Sequence, residues 1–142
     1  QPFANPGTSE LAEHMIDLTK VDCDLFIMAG VTDHITPWKA CYRSTQLFGS
    51  KRIEFVLSHS GHIQAILNPP GNPKAKFYRS DAPAPDTPEK WLQGAEEVAG
   101  SWWPFWMKWL QDRSGAQVSA PKSLGNKAHK PLGPAPGEYA FG

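Results

Sequence analysis

An uninterrupted apolar stretch of strand length lies near the start of this chain. It spans Leu25-Phe26-Ile27-Met28-Ala29, and Gly30 stops it. Because the apolar residues follow one another without alternation, we expect a strand at about residues 23–29 that is buried on both faces. Strands of this kind are typical of parallel sheets, which α/β proteins cover with helices on both sides.

A helix and a second strand are predicted directly after this stretch. Thr36-Pro37 offers a good N-cap followed by proline at the first helical position, and Gly49 ends the predicted helix at about residues 37–48. Residues 52–58 then have the composition of a second strand. A strand–helix–strand unit of this size forms a right-handed crossover between parallel strands. The fold class is therefore predicted to be α/β.

Beyond the second strand, turn-forming residues become frequent. Residues 68–88 hold six Pro and one Gly, which predicts a long connecting segment. Two C-terminal helices are expected within about residues 88–113. The first is indicated by Thr87-Pro88 as a helix start and by apolar residues at helical spacing: Trp91, Leu92, Ala95, Val98 and Ala99.

The second C-terminal helix is expected to begin after Ser101 as its cap. Three tryptophans, Trp102, Trp106 and Trp109, recur at i, i+4 and i+7 and therefore share one face of this helix. Aromatic residues at this spacing indicate packing against a core.

The two ends of the chain are predicted to be irregular. Residues 1–20 contain a turn at Asn5-Pro6-Gly7, with a helical turn around Thr8–Met15 as one possibility, and residues 114–142 hold nine Gly or Pro in 29. We therefore divide the chain into a folded part, residues 1–113, and an extended Gly/Pro-rich tail, residues 114–142. Because two strands are too few for a free-standing parallel sheet, the chain is expected to be the C-terminal part of a larger α/β domain.

Composition excludes several classes of function. Fourteen acidic residues balance fourteen basic ones, which argues against a nucleic-acid-binding protein. The apolar runs fall short of the ~20 residues that a membrane span needs, and the start lacks the pattern of a secretory signal. The two cysteines, Cys23 and Cys41, are interpreted as free, buried thiols in a reducing compartment. Zinc-ligand spacing is absent from the sequence, so no metal site is predicted.

Two short polar segments follow the predicted parallel strands. Asp33 lies just past the first strand, and His62 lies just past the second, 29 residues later. Because the carboxyl ends of parallel strands meet at one edge of a sheet, the two side chains are expected to lie together. A carboxylate that holds a histidine in one tautomer is the arrangement of a general base, and this chain order resembles the end of α/β-hydrolases. The alternatives are an Asx turn or helix cap for Asp33 and a solvated loop for His62, while His34 and His59 compete as bases.

Longer blocks of sequence around these residues resemble polyhydroxyalkanoate synthases of classes I and II. The resemblance covers nearly the whole chain. It is carried by Ala29–Trp38, Leu57–Ile63, Asn68–Lys74, Gly100–Pro104 with Trp106 and Trp109, Ala120-Pro121, Leu124–Asn126 and Ala135–Tyr139.

This resemblance implies the C-terminal portion of an α/β-hydrolase fold and an acyltransferase activity. The family polymerises (R)-3-hydroxyacyl-coenzyme A into polyester and releases coenzyme A, with a cysteine nucleophile in a Gly-x-Cys-x-Gly elbow. By motif match, Asp33 and His62 correspond to its catalytic aspartate and histidine. Asp33 acts either as base for the 3-hydroxyl of the substrate or only as the group that orients His62. The family further implies a cytoplasmic enzyme at the surface of polyester granules, a possible homodimer, and no cofactor, since the coenzyme A thioester is a substrate.

The nucleophile elbow is the departure from the family pattern. No Gly-x-Cys-x-Gly occurs in the chain, so the cysteine is expected upstream of Gln1. The chain alone is therefore expected to be inactive, and the missing initiator Met is interpreted as a truncation.

Two other functions remain as alternatives: an ester hydrolase of the α/β-hydrolase superfamily, and a non-catalytic interaction module built on the tryptophans. Lys74, Lys76 and Arg79 are expected to lie in a solvated loop, with coenzyme A phosphate binding as the alternative.

Overall fold

The computed structural model describes residues 5–142, so Gln1 to Ala4 of the predicted irregular start lie outside the described residues. The described chain forms a two-stranded hairpin and a four-stranded mixed sheet with short helices. In chain order the elements are β1 (Ser9–Leu11), β2 (His14–Ile16), β3 (Leu25–Gly30), α1 (Trp38–Tyr42), β4 (Ile53–Ser58), α2 (His62–Ile66), β5 (Lys76–Arg79), α3 (Pro88–Gly94), β6 (Glu96–Ala99) and α4 (Trp103–Gln111).

The predicted parallel pair of strands forms one side of the larger sheet, with β3 at its edge. β3 and β4 pair in parallel from Leu25↔Ile53 to Gly30↔Ser58, so both strands end at the same edge. β5 and β6 continue the sheet antiparallel, in the order β3-β4-β5-β6. The prediction of an α/β chain with parallel strands is confirmed, whereas the expectation of only two strands is wrong.

Side chains alternate between the two faces of the sheet, and each face has its own core. On one face Phe55 and Leu57 pack with Tyr42 of α1 and Trp91 of α3. On the other face Val56 and Phe77 pack with Trp102, and Phe26, Phe105 and Trp106 lie around them. Helices therefore cover both sides of β3 and β4, as the continuous apolar run of β3 predicts.

The tryptophans of the last helix pack inward, as predicted from their spacing. The rings of Trp102 and Trp109 lie 6.1 and 5.5 Å from the ring of Phe26 on β3. Trp106 stands 5.8 Å from Trp102. These contacts make the tryptophan face of α4 part of the core.

The long connecting segment and the first C-terminal helix are the main errors of the sequence prediction. Residues 76–79, within the Pro-rich stretch, form β5. The helix that begins at Pro88 ends at Gly94, and residues 96–99 form β6 instead of continuing it. Val98 pairs with Phe77 of β5 and packs in the core with it. The Val98 side chain, which the helical spacing assigns to the apolar face of a helix, is therefore buried by a strand.

Two smaller differences concern the crossover and the N-terminal stretch. The crossover is helical from residue 38 to 46, but α1 ends at Tyr42 and continues as a 3₁₀ turn over Arg43–Gln46. The turn at Asn5-Pro6-Gly7 is present, with the Thr8 N–H donating to the Asn5 carbonyl. The helical turn around Thr8–Met15 is wrong, because β1 and β2 form a hairpin there whose two central residues, Ala12 and Glu13, have positive φ.

Residues 112–142 are exposed throughout, and their regular structure is a short 3₁₀ turn over Glu138–Phe141. The boundary drawn at residue 113 stays a prediction. Within residues 5–142, no helix is both long enough and apolar enough to cross a membrane.

Gly30 is required by a close approach at the end of β3. A Cβ at this position would lie 2.7 Å from the Ser60 carbonyl oxygen and 2.8 Å from the Ala65 Cβ. Because a backbone atom cannot move aside cheaply, we expect Gly30→Ala to destabilise the protein by about 1–3 kcal/mol in denaturant titration. Gly94→Ala is the matched control, since nothing lies within 4 Å of its Cβ position. Equal midpoints for both variants would contradict this account.

Candidate active site

The two loops that follow the parallel strands are joined to each other by their backbones. The Val31 N–H donates to the Ser58 carbonyl at 2.9 Å, and the Thr32 N–H donates to the Ser60 carbonyl at 3.2 Å. The pairing of β3 with β4 thus continues past the last strand residues. This continuation fixes the position of Asp33 relative to the loop that leads into α2.

Asp33 and His62 are in direct contact at this edge. The Nδ1 atom of His62 lies 2.8 Å from Oδ2 of Asp33. The Asp33 side chain is 6% exposed, whereas that of His62 is 36% exposed. The structure therefore brings together the two residues that the sequence predicts to meet, with the carboxylate inside and the imidazole at the surface.

Asp33 accepts four hydrogen bonds, two at each oxygen. Oδ1 accepts from the backbone N–H groups of Ile35 and Thr36, both at 2.9 Å. Oδ2 accepts from the Thr36 hydroxyl at 2.7 Å and from His62. Oδ1 thus forms the Asx turn that was the alternative role of Asp33, while Oδ2 holds His62. The same side chain therefore fills both roles, the turn and the partner of the histidine.

These hydrogen bonds decide the charge of the Asp33 carboxyl. Burial by itself would raise its pKa, but the bonds from Thr36, His62 and Ile35 outweigh burial and hold the pKa well below its usual range. Because the carboxylate accepts only, His62 must carry its proton on Nδ1 to bond with it. In the neutral ring Nε2 then has a free lone pair, which is what a general base requires.

The competing histidines lie elsewhere. His34 and His59 are both exposed. The ring of His59 stands 6.3 Å from the ring of Tyr78, and its backbone N–H donates to the Lys76 carbonyl. Over residues 5–142, the imidazole bonded to Asp33 is that of His62 alone.

Neither cysteine has the setting of an activated nucleophile. Cys23 is exposed, which corrects the expectation of a buried thiol, because β3 begins only at Leu25 and leaves Cys23 in the preceding loop. Cys41 is partly buried, and its thiol lies 3.7 Å from the Thr36 carbonyl. Burial raises the pKa of the Cys41 thiol, and the charge of Asp33 raises it further. Cys41 therefore remains a protonated thiol near neutral pH.

Sequence reasoning misassigned one residue of the site. Thr36 was expected to cap α1, but Pro37 occupies the N-cap position without a side-chain bond, and the Thr36 hydroxyl donates to Asp33 instead. The three-residue spacing from Asp33 to Thr36 is the available signal for this bond, because Asp side chains commonly bond backbone groups two or three residues ahead.

Two of the three basic residues considered for phosphate binding are paired with acids. Lys76 lies 2.9 Å from Glu97, and Arg79 pairs with Asp81. Both belong to β5, so the expectation of a solvated loop is wrong for them, whereas Lys74 is exposed. Among the described residues, 5–142, no three His, Cys, Asp or Glu side chains are grouped so that they could hold a metal ion.

Comparison with known proteins finds relatives of the kind that the sequence resembles. The chain is 51% identical over 138 residues to poly(3-hydroxyalkanoate) polymerase 1 of Ectopseudomonas oleovorans, and the aligned region covers 97% of the chain and 24% of that protein. It is 51% identical over 141 residues to polymerase 2 of the same organism, covering 99% of the chain and 25% of that protein. With the polymerase subunit of Cupriavidus necator the identity is 42% over 134 residues, covering 94% of the chain and 22% of that protein. The chain spans about a quarter of the length of these relatives, and no family model matches it.

Proposed function

We propose that this chain, a homologue of part of the poly(3-hydroxyalkanoate) polymerases, supplies the aspartate and histidine of a Cys-His-Asp triad in such an enzyme. The observation that carries the proposal is the 2.8 Å contact between His62 Nδ1 and a buried Asp33 carboxylate at the carboxyl edge of two parallel strands. The nucleophilic cysteine comes from the part of the enzyme that this chain does not include.

The first chemical step is acyl transfer to that cysteine. His62 takes the thiol proton on Nε2, and the thiolate attacks the thioester carbonyl of (R)-3-hydroxyacyl-coenzyme A. The C–S bond to coenzyme A then breaks, and the leaving thiolate recovers a proton from the His62 imidazolium. Each cycle ends when the 3-hydroxyl of one unit gives its proton to Nε2 of His62 and attacks the acyl-enzyme thioester of the next. The new ester C–O bond forms as the C–S bond to the cysteine breaks, and the freed cysteine thiolate recovers the proton from the His62 imidazolium.

Asp33 orients His62 and is not the base for the substrate hydroxyl. Both of its oxygens are already occupied by two donors each. Because its pKa is held well below the usual range, the carboxylate is a poor proton acceptor. Its negative charge instead stabilises the imidazolium that forms when His62 takes a proton.

The order of elements supports an α/β-hydrolase fold for the complete catalytic domain. An acid after one parallel strand and a histidine after the next is the arrangement at the end of that fold. In this proposal the enzyme needs no cofactor, because the coenzyme A thioester brings its own activated acyl group. It acts in the cytoplasm at the surface of polyester granules, as a possible homodimer.

The products of the enzyme that contains this chain test the proposal. With (R)-3-hydroxybutyryl-coenzyme A we expect thiol release, followed with a thiol reagent, together with solvent-extractable polyester. An ester hydrolase with the same Asp–His pair would give free 3-hydroxybutyrate and no polymer, which would overturn the proposal. The isolated 142-residue chain should release no coenzyme A, and release from it would bring Cys23 or Cys41 back as nucleophile.

A non-catalytic module built on the tryptophans is less consistent with the packing. Trp91 and Trp102 are buried, and Trp106 and Trp109 are partly buried against the sheet. Little of this aromatic surface is left for a partner or a polyester surface.

A further inference from the structure

The helix that carries His62 is too short to hold its own position. α2 spans five residues, His62–Ile66, whereas an isolated helix needs roughly 12–15 residues to be even marginally stable in water. Gly61 precedes it without a side-chain cap. The placement of the imidazole therefore depends on groups from other elements that bond this helix.

Two neighbouring indoles at the start of α4 provide such bonds. Nε1 of Trp102 donates to the Ala65 carbonyl at 2.8 Å, and Nε1 of Trp103 donates to the Ile66 carbonyl at 2.9 Å. Both acceptors are in the last turn of α2, where a helix leaves its carbonyls without partners in the helix itself. Trp102 and Trp103, called the indole pair below, are thus a side-chain cap at the C-terminal end of α2.

The preceding residue adds a third bond from the same segment. The Ser101 hydroxyl donates to the Asn68 carbonyl just beyond α2, and its oxygen accepts from the Trp103 backbone N–H at 3.0 Å. Ser101 and Asn68 are both buried. One serine therefore fixes the start of α4 and the exit of α2 together.

The indole pair is itself anchored to the sheet. Trp102 is 7% exposed, and its ring packs 6.1 Å from Phe26 of β3. On the opposite side, Ala65 of α2 lies so close to Gly30 that no Cβ would fit there. α2 is thus held between the end of β3 and the Trp102 indole, and β3 leads directly to Asp33.

We propose that Trp102 and Trp103 are positioning residues for His62. The hydrogen bonds that their indole N–H groups donate to α2 keep the imidazole aligned with Asp33. They act on the reaction only through His62, so the catalytic part of this inference rests on the proposed function. The reaction rate depends strongly on the position of the general base, because a displacement of about 1 Å can lower the rate ~10²-fold.

Kinetics of three phenylalanine variants test the proposal in the enzyme that contains this chain. Trp102→Phe and Trp103→Phe keep an aromatic ring but lose the N–H donor, whereas Trp106→Phe changes a ring that packs on Trp102 and gives α2 no bond. We expect kcat for coenzyme A release to fall about tenfold in the first two variants, with KM within about twofold of wild type. The Trp106→Phe variant should stay within about twofold in both constants.

Hydrogen exchange gives a second readout that does not depend on activity. The amides of Ala65, Leu67 and Asn68 bond within α2 and its exit, and we expect them to exchange about tenfold faster in the Trp102→Phe and Trp103→Phe variants. Exchange in β4, residues 53–58, should remain at the wild-type rate, because only local opening is affected. If the buried Trp102→Phe variant does not fold, the more exposed Trp103→Phe variant decides alone.

Two results would overturn the positioning role. One is exchange that rises equally in β4 and α2, which describes a general loss of stability. The other is exchange and kcat no different from those of the Trp106→Phe variant. Absence of coenzyme A release from the wild-type enzyme would instead refute the proposed function, and the exchange data would still decide whether the indole pair holds α2.

Discussion

Replacing His62 with alanine in the enzyme that contains this chain should lower coenzyme A release by about 10⁴-fold, at the upper end of the range that general acid–base groups contribute. Asp33 holds Nδ1 of the His62 imidazole, which leaves Nε2 of the same ring to take the thiol proton. Without it the nucleophile keeps its proton and attacks slowly. Steady-state release of thiol from (R)-3-hydroxybutyryl-coenzyme A measures the loss.

His59→Ala is the matched control for this variant. His59 is also a histidine just after β4, but it is exposed and stands against Tyr78 rather than Asp33. We expect its turnover to remain within about twofold of wild type and its thermal unfolding midpoint to match that of His62→Ala. Wild-type turnover in His62→Ala, or an equal loss in both variants, would refute the assignment of His62 as the base.

The parts of the fold that could be predicted are those in which local pattern and burial agree. The continuous apolar run of β3 indicates a strand that is buried on both faces, and the composition of β4 indicates a second strand directly after the crossover helix. β5 and β6 could not be predicted in the same way. Each is four residues long, and each is a strand because it pairs with the other, which is a contact between segments that the local pattern does not contain.

The site shows the same division. The meeting of Asp33 and His62 follows from topology alone, since both follow parallel strands that end at one edge. The bonds that hold the pair in place could not be predicted, because Trp102 and Ala65 are 37 residues apart and meet only once α4 packs on the sheet. The tryptophan spacing predicts burial, but it carries no information about the indole N–H groups.

Replacing Asp33 with asparagine should lower kcat by about 10⁴-fold, the size found when the orienting aspartate of a triad becomes an amide and as large as the loss expected without the His62 base itself. The surrounding hydrogen bonds decide how the new amide would sit. Its NH₂ group cannot occupy the Oδ1 position, because the N–H donors of Ile35 and Thr36 point there. It must therefore take the Oδ2 position and donate to Nδ1 of His62, which forces the ring proton onto Nε2 and removes the lone pair that accepts the thiol proton.

A rapid-quench measurement of the first turnover separates the two roles considered for Asp33. If Asp33 orients His62, the first release of coenzyme A and every later one should slow together in the Asp33→Asn variant. If Asp33 were instead the base for the substrate hydroxyl, the first acyl transfer would keep its wild-type rate and only chain extension would stop. Asp22→Asn, a change of the same kind at an exposed carboxylate before β3, should leave both phases within about twofold of wild type. The four occupied acceptor positions and the lowered pKa of Asp33 lead us to expect the joint loss.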